Sequence, residues 1–406
     1  MKRYSPWYTF FLLVLVALSM QGCFGIGGNT SSTQNFKQVN TNLKINTSDQ
    51  ALFKGMIYFT QGRNLFVIDG SRNVHQLTSG GDVRDPAISP DGKWIAFIFR
   101  HYYASDLDYI PITLSLTTST HWRVLRSGAG SYVPNGNFPP KATYLWYAQP
   151  AWASDSTHLL FLSDIQKEDW YNETGQNAPM LDLQVFSISR TNPSNYQAVA
   201  YADFGNGGDR DASYRPGVAH KNEIVYTHYT YDKSRTQQVI QIYLEDATII
   251  ASHPNTYYPG TAGSGFDPGI AITPYSTSIE NLMPSFSPDG NHLAYIRRID
   301  PSTMGLYVMG VPENVTSNPS NPSVQKNALL PYQQSSLIVK GQYVSQPVWS
   351  PDGTQIAYMA YSNNEFDIWL ADVTFNAKTG AYSLKGSPVP LTNGGVDSDS
   401  RPVWTH

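Results

Sequence analysis

Three acid-rich segments, residues 82–85, 209–211 and 397–399, are the places where side chains of this sequence could most readily do chemistry. Their carboxylates, with nearby carbonyls, suit calcium, but the spacing matches no known calcium loop. Capping of turns is the preferred reading, so no cofactor is expected, with calcium as the alternative. The nine histidines, among them His101, His121, His158, His220, His228, His253 and His292, are scattered without ligand spacing. There is no His-Glu-x-x-His and no Gly-x-Ser-x-Gly nucleophile elbow. Local motifs therefore favour a non-catalytic protein. The alternative is an extracytoplasmic hydrolase or lyase acting on carbohydrate or peptide, with a site assembled in the central channel of the fold from residues far apart in sequence.

The one cysteine, Cys23, sits where its thiol has a specific use. Lys2 and Arg3 precede an apolar run over residues 10–18, too short to cross a bilayer and suited to a signal-peptide core. Gly22-Cys23 close behind that run resembles the lipobox at which bacterial signal peptidase cuts and the new N-terminal cysteine is acylated, with Met20 in place of the usual leucine. The resemblance implies a signal peptide over 1–22 and a membrane anchor through lipid alone at Cys23. Phe24 stands where many lipoproteins carry an inner-membrane retention aspartate. The expected location is thus the outer membrane of a Gram-negative cell, or the outer face of the cell membrane otherwise. A lone cysteine permits no intrachain disulfide. Residues 23–51 are rich in Ser, Thr, Asn, Gln and Gly without apolar periodicity and read as a flexible linker, its ends on the order of 30 Å apart.

The rest of the 406 residues can bury a large core, with 41% apolar and only 14% charged side chains, and 13% aromatic ones. Those proportions favour strands. The net charge of −4, or −6 once Lys2 and Arg3 leave with the signal peptide, comes without any basic stripe, which speaks against a nucleic-acid partner.

A repeat with a period of roughly 55 to 68 residues organises the chain. Three copies are nearly complete: Pro86-Ala87-Ile88-Ser89-Pro90-Asp91-Gly92 before Trp94-Ile95-Ala96-Phe97, Pro284 to Gly290 before His292-Leu293-Ala294-Tyr295, and Pro347 to Gly353 before Gln355-Ile356-Ala357-Tyr358. Two copies are degraded, Pro150 to Ser156 and Pro216 to Asn222, and a sixth stops at Pro402-Val403-Trp404. Each unit reads as a strand, a tight Pro-Asp-Gly turn and a second strand, followed by a third and a fourth. Such four-stranded blades need neighbours on both faces, which a closed ring supplies. The last repeat has only its first strand, and the missing three stand before the first repeat, near residues 56–59, 64–68 and 75–78. The expectation is an all-β, six-bladed β-propeller over 52–406 whose sixth blade joins the two ends of the chain.

These Ser-Pro-Asp-Gly turns followed by Ile-Ala-Phe/Tyr strands resemble the TolB-like (WD40-like) propeller repeat. The resemblance implies a cell-envelope setting, and it departs from the full TolB layout because residues 24 to about 50 leave no room for that family's additional α/β domain.

Blade connectivity puts fourth-to-first and second-to-third connections on one face of the ring. Insertions at 101–112, 128–148, 163–181, 252–282 and 331–346 are expected there, making it the elaborated face. Their aromatics, Trp146, Tyr147, Trp170, Tyr171, Tyr257 and Tyr258 foremost, offer rigid contact surface for a protein or peptide partner, with a glycan as alternative. The residue before each repeat's first proline should ring the channel mouth: Asp85, Gln149, Arg215, Met283, Gln346 and Arg401. The resemblance implies that this opening can take an extended peptide or small polar ligand.

Overall fold

The computed structural model describes residues 43–112, 122–129, 131–135, 138–165, 182–201, 207–249 and 269–406. All belong to the second of the two units into which the chain divides, 1–37 and 38–406. That unit is a six-bladed β-propeller of antiparallel blades. The innermost strands are Val83–Ile88, Tyr147–Trp152, Asp209–Tyr214, Glu280–Phe286, Val344–Trp349 and Val403–Thr405, for blades 1 to 6 in turn.

Local chemistry sets the hairpin after each innermost strand. In blade 1 the Ser89 hydroxyl donates to Asp91 Oδ1 at 2.6 Å, and the same oxygen accepts the Lys93 N–H at 3.1 Å. Gly92 holds φ at 69°, a left-handed value open to glycine without strain. The same Ser, Asp and Gly roles recur at Ser287, Asp289, Gly290 and at Ser350, Asp352, Gly353. The second strands then carry unbroken apolar runs such as Ile95-Ala96-Phe97-Ile98, all buried. Both faces of a blade are covered, so alternation is not required. Apolar clusters occupy each of the six junctions between neighbouring blades, and these are the core.

Closure follows the expected plan. Blade 6 pairs Val403–Thr405 from the C-terminus with Met56–Gln61, Asn64–Asp69 and Val74–Gln76 from the N-terminal side. Trp404 Nε1 donates to Lys54 O at 2.7 Å, and Gly55 has φ of 86° with no room for a Cβ, which would lie 2.1 Å from Thr405 O. A second clasp was not foreseen: Lys44–Ile45 pairs with Thr392–Asn393 at the outer edge of blade 5, and Ala51 is fully buried. Residues 43–51, read from composition as linker, are therefore part of the folded ring.

The distribution of insertions needs correction. Residues 105–111 of the expected 101–112 insertion are the third strand of blade 1, Ser105–Pro111, and 336–341 of the expected 331–346 insertion are the fourth strand of blade 4, Ser336–Gly341. Of the expected 252–282 insertion, residues 252–268 lie outside the described residues and Ile270–Ala271 is the fourth strand of blade 3. The opposite face carries the helices Pro322–Ala328 and Leu330–Gln333, between the third and fourth strands of blade 4. Elaboration is thus shared between the faces. Alternating acids hid the strand over 105–111, because Asp is a poor strand former that reads as loop.

Candidate functional site

The innermost strands share one irregularity that builds the channel. In blades 1 to 5, ladder pairing skips two residues, as between Arg84 and Ala87 or between Ser345 and Val348. The bulged residues Asp85, Gln149, Asp211, Met283 and Gln346 take φ of 47°, 47°, 58°, 55° and 49°. Side chains disfavour that region, and bulges recur where a strand must re-aim a side chain at a rim. The following proline has no N–H to contribute to a ladder, so a bulge suits it.

This register corrects one expected site residue. Blade 3's bulge is Asp211, followed by Ala212 where the other blades have proline. Pro216 aligns instead with the turn prolines, and Arg215 with the turn serines. Arg215 is therefore absent from the channel mouth: it is fully buried beside the hairpin turn, donating through Nε to Gly290 O at 2.8 Å and pairing with Glu223 and Glu313. The residue the sequence reading missed is Asp211; the signal was the Arg-Asp pair that Arg210-Asp211 shares with Arg84-Asp85.

Asp85, Gln149, Asp211, Met283, Gln346 and Arg401 do come together, and they bond mainly to one another. Asp85 Oδ1 accepts the Arg401 N–H at 2.9 Å and its Oδ2 the Gln149 N–H at 3.1 Å. Gln149 Oε1 accepts the Asp211 N–H at 2.6 Å while its Nε2 donates to Asp211 Oδ1 at 2.9 Å. Thr227 Oγ1 links Asp211 Oδ2 to the Met283 N–H, and Met283 Sδ faces the Gln346 N–H at 3.4 Å. The Arg401 guanidinium reaches across to Ala212 O at 3.3 Å and Pro150 O at 3.1 Å. Burial pushes the Asp85 carboxyl above its ordinary range, against the opposing effects of Arg401 and Arg100. The bulge N–H groups that the irregular ladder frees are thus satisfied from the neighbouring blade.

Beside this ring the channel holds a cavity of about 180 Å³, walled chiefly by the proline-bearing inner strands, with Ile88, Trp152, Val348 and Val403 among its lining. Asp211 and Arg401 also reach it. Two carboxylates and an arginine, the composition a catalytic channel would need, are therefore present at Asp85, Asp211 and Arg401, with their hydrogen bonds spent between blades.

The acid-rich segments behave as caps and ion pairs. Asp397 accepts the N–H groups of Gly62 and Arg63, Asp82 and Asp399 pair with Arg84, and Asp209 lies 2.9 Å from His228 Nδ1. Among the described residues no group of three or more His, Cys, Asp or Glu is arranged to hold a metal ion.

Of the expected aromatics, Trp146 is half-buried, and its backbone N–H donates to Asp164 Oδ1 at 2.9 Å. Tyr147 is 2% exposed and packs in the core between blades 1 and 2, so it is no surface anchor. Strand alternation explains this: it begins the first strand of blade 2. Trp170, Tyr171, Tyr257, Tyr258 and Cys23 lie outside the described residues. A different set of aromatics is exposed. Tyr102, Tyr103, Tyr144, Tyr275, Tyr343 and Tyr361 are each at least 41% exposed, and all six sit in fourth-to-first or second-to-third connections or at the strand end beside one. Tyr103 packs against Tyr102 and Tyr144 at ring separations of 4.3 and 5.6 Å, and Tyr343 lies 5.7 Å from Tyr361.

No family model and no curated protein sequence matches the chain. Solved structures do. TolB from Acinetobacter baumannii superposes with a TM-score of 0.51 at 14% identity, over 86% of this chain and 66% of that one, so the chain spans slightly less than two thirds of TolB's length. An oligogalacturonate lyase in complex with manganese gives a TM-score of 0.44 at 12% identity, covering 84% of this chain and 77% of that one. The oligogalacturonate lyase from Vibrio parahaemolyticus gives 0.42 at 11% identity, over 85% and 84%. At 14% identity the likeness to TolB speaks to fold alone, and with the bladed topology and the Ser-Pro-Asp-Gly turns it makes this chain a six-bladed β-propeller of the TolB-like type.

Proposed function

We propose that the chain is a non-catalytic binding or scaffold protein of the cell envelope, docking a protein or peptide partner on the face formed by the fourth-to-first and second-to-third connections. The observation that supports this reading is the one-sided distribution of exposed tyrosine: among the described residues, all six tyrosines at least 41% exposed belong to that face. Tyrosine brings large contact area at low entropic cost, and its hydroxyl tolerates water when the partner is absent. Trp146, between the strands Phe138–Thr143 and Tyr147–Trp152, belongs by connectivity to the same face. The charged groups of the channel ring are already committed to blade-to-blade bonds, so the reading rests on the outer face and not on the channel.

The test is capture from envelopes of the source organism with the wild-type chain and with a Tyr102→Ser, Tyr103→Ser, Tyr144→Ser variant. Recovery of the specific partner should fall at least tenfold, while stability changes by no more than about 0.5 kcal/mol per site, as for other surface substitutions. Unchanged capture by the folded variant would rule out docking at this patch.

Lipid anchoring at Cys23 belongs to the same proposal. Cys23→Ser should abolish incorporation of labelled palmitate and move the protein from the membrane pellet to the soluble envelope fraction. Labelling that persists in the variant would overturn the assignment. Among the described residues no helix is long and apolar enough to cross a membrane.

A further inference from the structure

Away from the channel, blade 1 carries a second cavity of about 270 Å³, lined by Phe99, His101, Asp106, Asp108, Trp122 and Val124 together with Gly80 from the chain leaving blade 6. Strand geometry assembles it. Asp106 and Asp108 alternate on Ser105–Pro111 and so share a face, on which the ladder sets Phe99 opposite Asp106 and Val124 opposite Asp108. The Phe99 ring lies edge-on to His101 at 4.9 Å and to Trp122 at 5.3 Å. Gly81 lets the chain leaving blade 6 approach this wall, since a Cβ there would fall 2.4 Å from the Phe99 ring.

The two carboxyl groups differ in what they already hold. Asp106 shares a 2.8 Å hydrogen bond with His101 Nε2 and accepts the Gly128 N–H at 2.8 Å. Asp108 is 2% exposed, and its Oδ1 is buried without a hydrogen-bond partner among the described residues. A buried carboxyl left in that condition is costly. Burial, reinforced by Asp106 and opposed by His101, pushes its pKa up to about 7. An apolar occupant would leave this cost in place, and a neutral donor would relieve it without balancing the charge of the ionised form. A cation with N–H donors would remove it through charge-assisted hydrogen bonds, and its stem would lie against aromatic rings that attract positive charge.

We infer that this cavity is a recognition site for an organic cation: an ammonium or guanidinium group on an alkyl stem, carried either by a lysine or arginine side chain of a bound peptide or by a free alkylamine. Aromatic walls and one unsatisfied carboxyl suit such a group better than a bare metal ion, which would need more oxygen or nitrogen ligands than the cavity offers. His101 directly precedes Tyr102 and Tyr103, so the cavity borders the tyrosine face. The inference stands on Asp108, however, and not on partner docking.

Calorimetry on the full-length chain in detergent tests it, with n-butylammonium chloride, Nα-acetyl-lysine methylamide, Nα-acetyl-arginine methylamide and the neutral Nα-acetyl-norleucine methylamide as probes. Cationic probes should bind at least tenfold more tightly than the norleucine compound, and Asp108→Asn should weaken them at least tenfold while remaining folded. Val124→Lys, which places an ammonium across the ladder from Asp108, should compete in cis and block the probes. Tighter binding of the amino-acid amides than of butylammonium indicates a peptide source, and the reverse or equality a free amine. Absence of binding by every cationic probe, equal binding of the norleucine compound, or affinity unchanged in Asp108→Asn would overturn the inference. The triple tyrosine variant should bind the probes normally, so failure of partner docking and failure of this site are read separately.

Discussion

Arg215→Met is expected to destabilise the propeller by about 3–5 kcal/mol, the loss typical of removing one partner from a buried ion pair. The Arg215 side chain is fully buried, with Nε on Gly290 O at 2.8 Å and Nη1 on Glu223 at 2.8 Å. Methionine matches its stem but leaves the Glu223 carboxylate, only 16% exposed, with His220 at 3.3 Å as its remaining ionic neighbour. Glu313 is 52% exposed and is rehydrated more cheaply. The cost should therefore fall mainly on Glu223, and Arg215→Met combined with Glu223→Gln should recover a substantial part of it. Denaturant titration of the two single variants and the double one measures this coupling directly. A single-variant loss below about 1 kcal/mol would mean that the Arg215 cluster adds nothing beyond packing.

Asp108→Asn is expected to do the reverse, stabilising the protein in a pH-dependent way. The folded-state pKa of Asp108 is raised to about 7, whereas the unfolded chain has the ordinary aspartate value of 3.8. Folding therefore favours the protonated form: the contribution of Asp108 to wild-type stability is greatest below about pH 4 and is lost as pH rises through about 7. Asparagine never ionises, so its advantage should be near zero at pH 4 and reach at most about 4 kcal/mol above pH 8. The charged or titratable groups facing Asp108 in the cavity are Asp106 and His101, while Gly80, Phe99, Trp122 and Val124 carry no charge. Thermal unfolding of both proteins at pH 4.5 and pH 9 reads the difference. An equal shift at both values would show that Asp108 does not titrate between them.

Most of the architecture was legible before any coordinates because its signals are local. A Ser-Pro-Asp-Gly run encodes its own turn, through a serine hydroxyl bonded to an aspartate two residues on and a glycine in the left-handed region. The unpaired Pro402-Val403-Trp404 announced that the last blade had to borrow strands from the other end of the chain. Blade 3 was misregistered for an equally local reason. Ala212 stands where the other blades place a proline, so Pro216 was matched to the wrong role and Arg215 was drawn into the channel.

The candidate sites were less legible. Asp85, Gln149, Met283, Gln346 and Arg401 were placed near the channel from repeat position alone, but nothing in their order showed that Arg401 would reach the carbonyls of blades 2 and 3. The exposed tyrosines escaped because exposure is a property of what packs nearby: Tyr147 and Tyr144 are three residues apart, one in the core and one 45% exposed. The cavity at Asp108 joins a strand, a turn and the chain leaving blade 6, groups related only through pairing and ring closure.

By itself, then, the sequence determined the repeat, the number of blades, the turn chemistry and the junction of the two ends, since each depends on neighbours in the chain or on counting copies. Tertiary structure alone decided which polar groups are satisfied, which aromatics face water and which carboxyl is left unpaired. Those properties depend on long-range distances of a few ångströms, set by blade-on-blade packing, and single-residue pattern does not encode them.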